Sequence, residues 1–114
     1  DRYGFGKKSE KAAAMEKQRL MWEQFCQKYS GRLSAEETRA GREEALQMLE
    51  KKDTLPPIRL KVAKYISDGY VLERNLPKAL EYLEIARDAD PESQAAKKLE
   101  PWIDNMRKHI NQEK

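Results

Sequence analysis

The sequence predicts an all-α fold, and three observations carry that reading. Apolar residues make up 39% of the chain and charged residues 38%, so a core has to be assembled from narrow stripes on otherwise polar helices. β-branched residues are sparse, with valine only at Val62 and Val71 and threonine only at Thr38 and Thr54, too few for a sheet protein. Apolar positions recur at steps of three, four and seven, the period of a helix. At 114 residues there is room for one domain, read as residues 9–114 behind a flexible arm of residues 1–8. Helix is expected over about 65 to 80% of the residues, well above the usual third.

The arm reads DRYGFGKK, with two glycines and no period. A first helix is expected from about Ser9 to Tyr29, where Met15, Trp22, Phe25, Cys26 and Tyr29 share one face. Trp22 and Phe25 are candidate anchors for a partner's groove, although aromatic residues at helical spacing more commonly build the protein's own core. Cys26 is the single cysteine, so no internal disulfide or cysteine-built metal site can form. Its place beside Phe25 predicts a buried structural thiol.

Ser30-Gly31 closes that helix, glycine being the usual residue just past a helix terminus. Ser34-Ala35-Glu36-Glu37 has capping-box spacing and opens a second helix running to about Lys51 or Lys52. Ala45, Leu46, Met48 and Leu49 form its stripe, and Gly41 is read as a weak point of about 1 kcal/mol. Asp53-Thr54-Leu55-Pro56-Pro57 forces a turn. The third helix is expected from about Pro57 or Ile58 to Tyr70, with Leu60, Val62, Ala63, Ile66 and Tyr70 apolar. Asn75 or Leu76 precedes a fourth helix with Pro77 in its first turn and Ala79, Leu80, Leu83 and Ala86 on one side. Asp90-Pro91 repeats the start of a cap followed by proline, and a last helical region with Leu99, Ile103, Met106 and Ile110 reaches about Asn111, kinked or broken at Pro101.

The stretch Leu60 to Ser93 resembles one tetratricopeptide repeat, a unit of 34 residues that folds as two antiparallel helices. Ala63 stands where that family usually has Trp, Ile66 at the usual Leu, Ser67 at the usual Gly, Tyr70 at the usual Tyr, Ala79, Leu83 and Ala86 at the small and aromatic positions, and Pro91 at the terminal Pro. The stretch is also similar to the Sel-one-like repeat, through Asp68-Gly69, Asn75 and Lys78-Ala79-Leu80-Glu81-Tyr82, with Val71 where a second loop glycine belongs. Ala45, Leu49 and Pro57 lie 34 residues before Ala79, Leu83 and Pro91, which reads as a degenerate half-repeat; Lys52 breaks the echo opposite Ala86. The resemblance implies a short solenoid of helical hairpins with terminal capping helices. Because about three units are usually needed for stability, the end helices act as caps, a second copy pairs with the chain, or a longer protein supplies further repeats.

The function implied by the resemblance is a protein-binding scaffold or adaptor. On that reading Lys61, Lys64 and Asp68, on one face of the third helix, occupy positions that contact the ligand, and the two lysines suit a carboxylate or acidic segment of another protein. The alternative is a basic helical domain that binds nucleic acid or an anionic surface. Residues 1–33 carry eight Lys or Arg against four acids, an excess of four positive charges in a chain of net charge +3. The interleaved acids and the lack of any groove-reading motif disfavour nucleic acid. An enzyme is not expected: no nucleophile elbow, phosphate-binding glycine loop or metal-spaced ligand set is present. No cofactor is indicated. His109, the sole histidine, is read as a cation near a helix C-terminus. No apolar run is long enough to span a membrane. The chain begins with Asp rather than Met and reads as a piece of a secreted, anchored or cytoplasmic protein, so compartment stays open.

Overall fold

The computed structural model describes the backbone of residues 2–112 and the side chains of residues 10–112. The described chain is all-helical: α1 (Arg2–Lys28), α2 (Ala35–Glu50), α3 (Pro56–Leu72), α4 (Leu76–Ala89) and α5 (Gln94–Gln112). Together they hold 83% of the described residues, above the expected range. The excess arises at the front, where α1 begins at Arg2 and the stretch expected to be an arm has helical backbone. No proline interrupts residues 1–28, and two glycines at a cost of about 1 kcal/mol each do not end a helix of 27 residues.

The helix ends follow local chemistry. Ser34 Oγ accepts from the Glu37 amide at 3.1 Å while the Glu37 carboxylate accepts from the Ser34 amide at 3.0 Å, completing the capping box of α2. Pro56 and Pro57 occupy the first turn of α3, where a missing N–H costs nothing. The Asn75 side chain accepts from the Lys78 amide at the start of α4. The last helix starts later than the proline at position 91 implied. Asp90 to Ser93 forms a turn, and Ser93 Oγ, accepting from the Ala96 amide at 3.1 Å, caps α5. Pro101 neither breaks nor ends α5, and it lies on the exposed side.

Consecutive helices pack as neighbours from α2 to α5, and α1 lies against α3. α3 is the shared element because it presents apolar residues on two sides. Leu60 and Ala63 meet Leu83 and Ala86 of α4 and Ala96, Leu99 and Ile103 of α5. Ile58, Val62 and Ile66, spaced by four, meet Phe25 of α1 and Ala45 of α2. Ala63, Ala79 and Ala86 are completely buried, and their small side chains let α3 and α4 approach closely. The body measures 60 × 31 × 21 Å.

Among the described side chains, those of the second half of α1 engage this body. Met15, Trp22, Phe25 and Tyr29 pack on α2 and α3, whereas residues 10–14 are all exposed. Cys26 is exposed as well, which corrects the buried thiol expected from its neighbour. Adjacent helix positions point about 100° apart, and Phe25, 4% exposed, takes the inward direction.

Candidate partner-binding face

Lys61, Lys64 and Asp68 follow one another up α3 on its outer side, with Lys61 and Asp68 exposed and Lys64 half-buried. Lys64 Nζ donates to Asp68 Oδ2 at 3.0 Å, the i, i+4 spacing that brings side chains together on a helix. The same ammonium sits 5.1 Å from the ring centroid of Trp102 on α5, within cation–π range. Lys61 forms no ion pair among the described residues. It lies on the α1 side of α3, one turn before Tyr65, whose ring packs edge-on to Trp22 and Phe25 of α1. The three residues therefore stand between α1 and α5, with Lys61 toward one and Lys64 toward the other.

Trp22 and Phe25 do not join them. Phe25 is core, stacked on Trp22 at 5.1 Å and edge-on to Tyr65 at 5.0 Å, so it is closed to a partner. Trp22 packs edge-on to Tyr65 at 6.0 Å and is half-buried, with part of its ring turned to a cleft beside α1. Aromatic pairs in such geometry contribute about 0.5–1.5 kcal/mol beyond their buried area.

Two clefts flank the end of α3 and meet at Asp68. One, of about 320 Å³, lies between α3, the start of α4 and α5, and is lined by Val71, Leu76, Trp102, Met106 and His109. The other, of about 390 Å³, lies between α3 and the α1–α2 connection, and is lined by Tyr29, Leu33, Arg42, Tyr65 and Leu72. Arg42 is held there by an ion pair with Glu73 and by stacking 4.5 Å from the Tyr70 ring centroid. Apolar surface is left open around both: Leu72 is 80% exposed and Trp102 52%.

Trp102 escaped the sequence reading. Its signal is its position one residue before Ile103, off the buried stripe of Leu99, Ile103 and Met106, where an indole has no place in the core. Among the described residues no group of three or more His, Cys, Asp or Glu stands close enough to hold a metal ion. No described helix is long and apolar enough to cross a membrane. Compared with known families, curated proteins and solved structures, the chain matches none.

Proposed function

We propose that the chain is a protein-binding module, built as a short tetratricopeptide-like stack of helical hairpins, that holds a partner segment across α3 between α1 and α5. The observation that carries this reading is the open strip formed by Lys61, the Lys64–Asp68 pair and the half-exposed Trp102, flanked by clefts that leave Leu72 uncovered. Exposed apolar surface rimmed by charges is the usual mark of an interaction site. An aromatic ring held by a lysine supplies a rigid anchor of the kind that dominates binding energies. α3 shared between two clusters supports the repeat-like stack, since each hairpin then buries its face on the next. The partner segment contributes an apolar side chain to the Trp102 cleft and a carboxylate to Lys61.

The test reverses charge at Lys61 and Lys64 together and measures affinity for a partner isolated by pull-down with the whole chain. Binding is expected to weaken by about tenfold or more, ~1.4 kcal/mol. Stability should move by no more than about 0.5 kcal/mol for Lys61→Glu alone, an exposed position without an ion pair among the described residues. It should fall further in the double variant, which also loses the Lys64 contacts with Asp68 and Trp102, so the single variant is measured beside it. Reversal at Lys7, Lys8 and Lys11 is expected to alter only attraction at low salt. Loss of binding in that second variant, with the first unaffected, overturns the proposal in favour of the basic N-terminal segment.

A further inference from the structure

A third cleft, of about 290 Å³, opens between α1 and the turn that joins α2 to α3, and shares no residue with the other two. Its floor is apolar, made by Met21, Trp22, Met48 and Ile58. Its rim carries two ammonium groups, Lys17 and Lys51, against one carboxylate, Asp53. Neither lysine has an ion-pair partner among the described residues, whereas Arg19, Lys28, Arg42, Lys64 and Arg107 each have at least one. Lys17 belongs to the basic excess of residues 1–33, which the α3 face does not use, and Lys51 adds a second unpaired charge from the end of α2.

The cleft is preformed. The Gln18 amide donates to the Asp53 carbonyl at 2.8 Å and accepts from the Leu55 amide at 2.8 Å, tying α1 to the turn. The Arg59 guanidinium donates to the Leu49 and Lys51 carbonyls at 2.6 and 2.7 Å, and the Thr54 hydroxyl donates to the Met48 carbonyl at 2.8 Å, so the opposite wall is held as well. A site whose walls are already ordered spares a ligand the cost of ordering them. Its volume falls at the lower limit of small-molecule sites, roughly 300–1,000 Å³, and suits one or two side chains. Two thioethers in the floor let it adapt to the shape it receives. The apolar surface also continues outward, with Met21 41% and Leu20 44% exposed along α1.

We propose that this cleft is a second docking site, for an acidic segment of a partner protein that seats one large apolar side chain on Met21, Trp22 and Met48 and sets carboxylates against Lys17 and Lys51. It is independent of the α3 face, and either site can fail without the other.

The four methionines make the test specific, because Met21 and Met48 line this cleft and Met106 lines the one beside Trp102. Peptides of twelve residues are selected from a displayed random library against the whole chain, and the consensus peptide is titrated into protein labelled with ¹³C at the methionine methyls. The expected result is a consensus with several carboxylates around one Leu, Phe or Trp, movement of the Met21 and Met48 signals with Met106 stationary, and affinity reduced about tenfold or more by K17E/K51E and unchanged by K61E. Should K17E/K51E alter the melting curve, K17Q/K51Q, which removes the charges without reversing them, serves in its place. The proposal is overturned by a consensus without carboxylates, by movement confined to Met106, by affinity indifferent to Lys17 and Lys51, or by a selection that yields no binder. It is equally overturned if a single-stranded RNA twelve-mer or vesicles containing phosphatidylserine move Met21 and Met48 and acidic peptides do not.

Discussion

The Ser67 hydroxyl on α3 donates to the Ala79 carbonyl on α4 at 2.7 Å, across the contact between these two helices, where both residues are buried. Ser67 stands where the repeat resemblance has glycine, and its hydroxyl finds a partner in the facing backbone. Ser67→Ala is expected to destabilise the fold by about 1 kcal/mol, the usual net worth of such a bond. Urea unfolding of the two proteins checks this. An unchanged midpoint would remove the hydroxyl from any role in holding the hairpin.

Gly41 has a packing role beside its cost in helix propensity. A Cβ built there would lie 2.6 Å from Tyr65 Oη and 3.2 Å from the Tyr29 ring, so the bare backbone of α2 is what lets α1 and α3 close over it. Gly41→Ala is therefore expected to cost about 1–3 kcal/mol despite the gain of about 1 kcal/mol in helix propensity. Tyr65→Phe removes the hydroxyl in the way, and the double variant should recover part of the loss, a coupling of at least about 0.5 kcal/mol. A Gly41→Ala protein that melts above its parent contradicts the contact.

Arg74 has φ of 62°, in the left-handed region, where it ends α3. Its amide donates to the Val71 carbonyl at 2.9 Å, and the Asn75 amide to that of Tyr70 at 2.9 Å, the bonding of a helix stop that ordinarily uses glycine. Arg74→Gly is expected to stabilise the protein by about 0.5–1 kcal/mol, relief of the side-chain strain exceeding the added freedom of the unfolded chain. Denaturant melts decide it, with destabilisation as the contrary result.

Acid sensitivity is expected at Glu44. Hydrogen bonds from the Tyr29 hydroxyl and from Lys28 Nζ, the latter at 3.0 Å, hold its carboxyl below the usual carboxylate range. A depressed acid contributes stability above its unfolded value, about 4.3 for glutamate, and that contribution disappears as pH falls through the lower folded value. Between about pH 5 and pH 3 the parent's Tm should fall more steeply than that of Glu44→Gln, which still accepts from Tyr29 but carries no charge. Parallel curves from calorimetry would sink the assignment.

What could be read from the sequence was local. The all-α class, the caps at Ser34 and Asn75, the proline starts and the small-residue spacing of Ala79 and Ala86 follow from bonds and periods that span a few residues, which neighbouring positions alone satisfy. Tertiary structure decided the rest. Whether Phe25 or Cys26 turns inward, whether Gly41 is a weakness or a necessity, and where Trp102 meets Lys64 depend on how each helix is rotated about its axis and where it crosses its neighbours. Those angles are set by interdigitation between residues far apart in the chain, and a stripe of apolar positions narrows them without choosing among them.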